Sequence, residues 1–349
     1  MQKKNNDQPE KVTIRHVAKA AGVSVSTVSR SLSNHSTASK KTTQKVLEIA
    51  EKLNYFPDSL AQSLRQKKTG MIGVILNDLT NPFYAEMLSQ IGAVIGNTNY
   101  SMFVCYSNWS IELEKKNILS LLSKRVDGVI ISPVHEKSEN ISLLTQNRIE
   151  TVIIDCYPSF KDINYVYTEH GKGSVIATDY LLKNGHKNIL LMTGPIHSSL
   201  EDNFVNGYIE TLKKHNVDVK DEYIIRCDEL STSCGYETFK KLINNESGSS
   251  ILDCTAVITI CDTLAIGIYR LANDLGFSIP GNYSLVGYDN IEVSSALVPP
   301  LTTIHQPRKE IGSESINLLI NNIESEEIKE RKIITFTPHL VIRGSVRRL

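Results

Sequence analysis

No stretch of the sequence approaches 18 uninterrupted apolar residues, and the opening segment MQKKNNDQPEK has no apolar run of the kind an export signal needs. Neither membrane insertion nor secretion is expected, and the protein reads as cytoplasmic. The six cysteines (Cys105, Cys156, Cys227, Cys234, Cys254 and Cys261) form no C-x-x-C pair and no Cys/His cluster at metal spacing. No metal site is expected, and the thiols read as small core residues. A P-loop, a G-x-S-x-G turn and an H-E-x-x-H helix are also missing. The G-x-G at Gly171-Lys172-Gly173 has Ile176 where a dinucleotide fingerprint needs its third glycine, and no strong apolar strand directly precedes it. An enzymatic reading, and with it a cofactor, has no motif to rest on.

What the sequence does contain is unevenly spread. Its 38 basic and 38 acidic side chains cancel, but residues 1–68 hold 13 Lys and Arg against 5 Asp and Glu, and the rest carries the compensating acidic excess. A short basic segment is the electrostatic footprint of a phosphate-binding module, although a solvated tail would leave the same mark. With 349 residues, 41% of them hydrophobic, the chain can build two or three cores, which suggests a small module joined to a larger body.

The periodicity changes near Gly70. Before it lie three short helical patterns. Ile14, Val17, Ala18 and Ala21 share one face of the first, and Gly22 supplies a turn. Ser24 caps a second helix, Val25 to Leu32, with Val28 and Leu32 inward and Val25, Ser26, Ser29 and Arg30 outward. A third helix begins at Ser39 and carries Val46, Ile49, Ala50 and Leu53. This is a helix-turn-helix over 11–56, with a generic three-helix bundle as the plainer alternative. After Gly70, apolar runs such as MIGVIL (71–76), GVIIS (128–132), NILLMT (188–193) and YSLVGY (283–288) alternate with amphipathic stretches. They predict an α/β core of two successive doubly wound parallel-sheet lobes. Such lobes bind ligands beyond the carboxyl ends of their strands, where Asn77, Asp78, Asp155, Asp262 and Asp289-Asn290 fall. Each of these is equally explained as a turn former or helix cap.

VTIRHVAKAAGVSVSTVSRSLSN followed by KVLEIAEKLNYFPDSLAQSLR closely resembles the head and hinge of the lactose-repressor/galactose-repressor (LacI/GalR) family. GVILNDLTNPFYAEMLSQI, LLKNGHKNILLMTGP, IPGNYSLVGYDN and PPLTTIHQP are similar to the family's core segments in the same order, so the resemblance spans nearly the whole chain. It implies a repressor that binds near-palindromic operator DNA as a homodimer, under control of a small-molecule effector such as a carbohydrate in the cleft between periplasmic-binding-protein-like lobes.

By position, Val25, Ser26 and Arg30 would reach base edges, where Arg30 suits guanine and Val25 a thymine methyl. Thr13, Ser24, Ser29 and Thr42 would meet phosphates. Residues 57–69 match the hinge helix and linker, with the hinge itself at Pro57 to Arg65: Leu60, Ala61 and Leu64 on the face that enters the minor groove, or otherwise the seam of an amphipathic linker helix, Leu64 as the wedge and Arg65 following the groove's negative potential. The resemblance divides 70–349 into a first lobe of about 70–168 and 306–334 and a second of about 169–305 and 335–349. It assigns effector contacts to Phe83, Tyr84, Asp155, Asp289 and Gln306. Sugar- and purine-binding relatives place a ligand-gripping arginine where this chain has Phe204. Either the effector differs in chemistry, or the cleft is a vestige and a protein corepressor does the signalling. A solute-binding protein is the remaining rival, disfavoured by the basic head.

Overall fold

The computed structural model describes residues 12–32, 38–56, 68–194, 199–243, 253–325, 327 and 330–349. The chain divides into two compact units, 1–69 and 70–349.

The first unit holds α1 (Ile14–Ala21), α2 (Val25–Ser31) and α3 (Lys40–Lys52). Val17, Val28 and Val46, one from each helix, are fully buried and form its core with Ala18, Ala21 and Ala50. Gly22 ends α1 in the left-handed region (φ 67°), with nothing within 4 Å of where a Cβ would stand. Backbone conformation rather than space therefore demands glycine there.

The second unit contains two sheets. Strands β1 (Met71–Leu76), β2 (Ser101–Tyr106), β3 (Gly128–Ile131), β4 (Glu150–Ile154), β5 (Asn164–Thr168), β6 (Ile189–Thr193), β7 (Ile224–Arg226), β8 (Ala256–Thr259), β9 (Ser284–Asp289), β10 (Thr302–His305), β11 (Ile333–Phe336) and β12 (His339–Val341) pair in the orders β11-β5-β4-β3-β1-β2 and β12-β10-β9-β8-β6-β7. All pairs are parallel except β10 with β12. In the first lobe, α4 (Pro82–Ile95) and α12 (Arg308–Glu324) cover one face of the sheet, and α5 (Ile111–Ser123) and α6 (Ile141–Gln146) cover the other. In the second lobe, α7 (His170–Lys183) and α8 (Ser199–Lys214) lie opposite α9 (Thr232–Lys240) and α10 (Asp262–Leu275), with the short α11 (Glu292–Ala296) after β9. Burial on both faces is why the central strands β1, β3, β4, β6, β8 and β9 read as continuous apolar runs.

The chain crosses between the lobes after β5, β10 and β11. The return to the first lobe extends to Phe336, two residues beyond the expected limit of 334, because β11 adds to that sheet beside β5. The glycines of the G-x-G serve packing: a Cβ on Gly171 would stand 3.1 Å from the Asn203 carbonyl of α8, and one on Gly173 would stand 2.5 Å from Tyr288 Cε2. Among the described residues no helix is long and apolar enough to cross a membrane.

Candidate functional site

One candidate site lies in each unit. In the head, α2 presents the side predicted to face outward. Val25 is 41% exposed, Ser26 and Arg30 are exposed, and Ser29 is half-buried. The Arg30 Nε donates to the Ser26 carbonyl at 3.4 Å. Ser24 caps α2, its Oγ accepting from the Thr27 N–H at 3.1 Å, so its hydroxyl is already engaged. Thr42 lies in the first turn of α3, where its N–H donates to Ser39 Oγ at 3.2 Å. Thr13 precedes α1, and its N–H donates to His16 Nδ1 at 3.2 Å. Thr13, Ser24 and Thr42 thus stand at helix N-termini, whose N–H groups and dipoles favour phosphate. The hinge residues Leu60, Ala61, Leu64 and Arg65 lie outside the described residues.

In the core, a cavity between the lobes opens at the carboxyl ends of both sheets. Its wall includes five of the expected residues, Phe83, Tyr84, Asp155, Asp289 and Gln306. Asn81 caps α4 by accepting from the Phe83 N–H at 3.0 Å, and this first turn carries Phe83 and Tyr84, whose rings meet edge-on at 5.0 Å. Tyr84 donates its hydroxyl hydrogen to Asp155 Oδ2 at 2.8 Å, and burial, followed by the Asp155 charge, pushes its pKa up and keeps it a donor. On the other lobe, Gln306 Nε2 donates to Asp289 Oδ1 at 2.7 Å. Burial, then the neighbouring Asp262, raises the Asp289 pKa well above its ordinary value.

The four other expected residues belong to the frame. Asn77 donates to Ser132 Oγ at 2.9 Å and accepts from Ser107 Oγ at 2.8 Å, tying together the ends of β1, β2 and β3. Asp78 closes a turn by accepting from both the N–H and the hydroxyl of Thr80 at 2.7 Å. Asp262 is fully buried and accepts from Ile291 N–H (3.0 Å), Ser294 Oγ (2.6 Å) and Thr303 Oγ1 (2.6 Å). Burial lifts its pKa to about 6. Phe204 is fully buried and packs edge-on against Tyr288 at 5.2 Å, behind the wall. In each case the protein's own interior already uses the groups a ligand would need.

Sequence reasoning missed Trp109, His170, Glu201 and Tyr288, which also line the cavity. Tyr288 ends the expected apolar run immediately before Asp289, so the strand-end rule could have found it. His170 stacks on the Tyr288 ring at 5.5 Å, and its Nε2 lies 3.2 Å from Asp155 Oδ1. Tyr288 Oη and Gln306 Oε1 are buried without a hydrogen-bond partner. Such an atom typically costs about 1–3 kcal/mol, which a bound polar molecule would recover.

Behind the wall, the buried Arg308 joins the lobes. Its Nε and Nη2 donate to Glu86 Oε2 on α4 at 3.0 and 2.8 Å. Nη2 also reaches the Asn290 carbonyl at 3.0 Å, and Nη1 donates to the Asp289 carbonyl.

The model for bacterial regulatory proteins of the LacI family matches residues 13–58, and the model for periplasmic binding proteins and the sugar-binding domain of the LacI family matches 69–341. The chain is 33% identical over 338 residues to the HTH-type transcriptional repressor PurR of Histophilus somni, covering 97% of this chain and 99% of that one. It is 31% identical to the ribose operon repressor of Escherichia coli, covering 95% and 99%. The crystal structure of the lac repressor dimer bound to operator and the anti-inducer ONPF superposes with a TM-score of 0.82 at 27% identity, covering 97% of this chain and all of that one. The chain therefore belongs to the LacI family: it is a DNA-binding transcriptional repressor with a periplasmic-binding-protein-like core, not an enzyme.

Proposed function

We propose that the protein acts in the cytoplasm as a homodimer, places two heads on a near-palindromic operator, and changes its grip when a small hydroxyl-rich molecule occupies the interlobe cavity. The observation that carries the ligand reading is the pair of buried, unpartnered polar atoms on the cavity wall, Tyr288 Oη and Gln306 Oε1. A vestigial cleft controlled only by a protein corepressor has no use for them. Ribose is bound by a LacI family regulator from Enterococcus faecium, 28% identical with a TM-score of 0.70, which supports a carbohydrate-like effector here.

One head contacts few base pairs, so useful specificity takes two, and a two-fold dimer mirrors a palindromic site. Edge strand β2 supports the dimer: Phe103 and Val104 are each 37% exposed, Tyr106 is 52% exposed and Ile111 beyond it 50%. An apolar sheet edge of this kind is a template for a second copy. In the reading carried over from the family, α2 enters the major groove and Leu64 wedges the minor groove at a flexible central step.

Selecting bound sites from a randomised duplex library at fixed salt tests the proposal. The expected result is a near-palindrome with a central pyrimidine-purine step, and Arg30→Ala relaxes one position per half-site at a cost of about 1–3 kcal/mol. Failure to enrich any sequence, with or without candidate metabolites, would sink it.

A further inference from the structure

Two of the cysteines meet beyond the carboxyl end of β7. Cys227 follows that strand directly, its N–H donating to the Thr193 carbonyl at the end of β6 at 2.8 Å, and its side chain is buried in the core of the lobe. Cys234 lies in the first turn of α9, where its N–H donates to Ser231 Oγ at 3.1 Å, and it is only half-buried. The two thiols hydrogen-bond to each other, and the Thr238 hydroxyl reaches both, 3.6 Å from Cys234 Sγ. Both are free. Packing alone asks for no such pairing, and a thiol pair of this kind in a cytoplasmic protein is usually redox-sensing.

The segment between them touches the cavity. Leu230 is a wall residue, and its carbonyl accepts from Thr263 Oγ1 at 3.0 Å. Thr263 Oγ1 lies 2.9 Å from Sγ of Cys261, another wall residue. Trp109, the one tryptophan of the sequence, lines the same cavity from the first lobe. We propose that Cys227 and Cys234 form a peroxide-responsive dithiol whose disulfide resets the second-lobe wall of the cavity at Leu230.

Half-buried Cys234 is the thiol that an oxidant reaches. Its thiolate sulfur attacks one oxygen of hydrogen peroxide, the O–O bond breaks, and the departing hydroxide takes up the thiol's proton to leave as water, giving a sulfenic acid. Burial raises the Cys227 pKa to about 12, so Cys227 offers little thiolate to the oxidant and acts second, on a sulfur it already touches. Its sulfur attacks that of Cys234, the S–O bond breaks, and the oxygen leaves as water with the Cys227 proton. The two thiols give up two electrons and two protons, and the peroxide becomes two waters. To bond, the sulfurs must close from contact to about 2.05 Å, so the loop carrying Leu230 or the first turn of α9 has to move.

Treating the full chain with hydrogen peroxide, then alkylating and digesting it, tests this. Trypsin releases both cysteines in one peptide, 227–240, which should be unalkylated and two hydrogens lighter. Cleavage after Glu229 should leave its halves joined until dithiothreitol is added. Trp109 emission should shift on oxidation and return on reduction, with no shift in Cys234→Ser. Cys227→Ala, checked for native circular dichroism, should stop at a sulfenic acid on Cys234 that dimedone traps. Full alkylation of both cysteines after peroxide would overturn the proposal, as would pairing of either with another cysteine. A disulfide that leaves Trp109 emission where it was would overturn the coupling to the cavity.

Discussion

Asp155 and Asp289 occupy the same station in the two lobes. Asp155 follows β4 and Asp289 closes β9, each strand third in its sheet from the edge formed by β11 or β12, and both aspartates have positive φ, 49° and 105°. A left-handed backbone at a residue with a Cβ costs about 1–3 kcal/mol and persists only where surrounding contacts over-determine it. Tyr84 supplies such a contact for the first, and Gln306 with Arg308 for the second. Each lobe thus brings one such strained aspartate to the cavity wall.

Arg308 is the residue whose loss should be felt in both lobes. Arg308→Ala leaves the Glu86 carboxylate and two carbonyls without their donor, and is expected to destabilise the core by about 3 kcal/mol in urea unfolding. Glu86→Gln, at a side chain 30% exposed, should cost clearly less.

The pH dependence follows from Asp262. Its folded pKa of about 6 lies above the ordinary 3.8, so the folded state holds that proton more firmly than the unfolded chain does. This contribution is complete below the unfolded value and is lost as pH rises through about 6. Asp262→Asn removes it. Between pH 4.5 and 7.5 the stability difference should move in the variant's favour by about 2 kcal/mol, whatever the absolute offset from altered hydrogen bonding. A difference that stays flat across this range would contradict the assignment.

Gly173 sets the position of a wall residue. A Cβ there would stand 2.5 Å from Tyr288 Cε2, and the helical backbone of α7 cannot yield, so Gly173→Ala must push the ring out of its stack with His170. Affinity for whichever cleft ligand is identified should fall about ten-fold or more, with little change in helix content. Unchanged affinity would place Tyr288 outside ligand contact.

In the head, Val28 is fully buried at the centre of a very small core. Val28→Ala should cost about 2 kcal/mol, enough to melt a module with so little to bury. Operator binding would be lost while the unfolding midpoint of residues 70–349 stays where it was.

Val104→Lys puts a charge on the exposed edge of β2. Sedimentation velocity should show a shift from dimer toward monomer, and operator binding should weaken with it. A variant that stays dimeric would place the interface elsewhere.

The parts of the fold legible in the sequence were those written in apolar periodicity: the three head helices, and the buried strands whose runs of Ile, Val and Leu stand out. Strands β5 (NYVYT) and β10 (TTIH) are almost wholly buried yet too rich in threonine and tyrosine to register as apolar runs. Tertiary position decided their state. The site was half legible for a related reason. A polar residue after a strand can point into a cleft or turn back to bind its neighbours, and the local sequence of Asp78 or Asp262 does not distinguish these outcomes. Trp109, His170 and Glu201 come to the wall from three separate elements, and only folding shows that they converge.

The three crossings between the lobes also bear on how this protein can be cut and recombined. The second lobe and α12 interrupt the first sheet between β5 and β11, so the first lobe exists only as two separated stretches of chain. A protease nick in one crossing leaves two intact, and no single splice lifts either lobe out whole. The head, joined by one thread near Gly70, can be exchanged with a single junction. Operator preference is therefore free to be shuffled among relatives, whereas the two halves of the cavity must be inherited together.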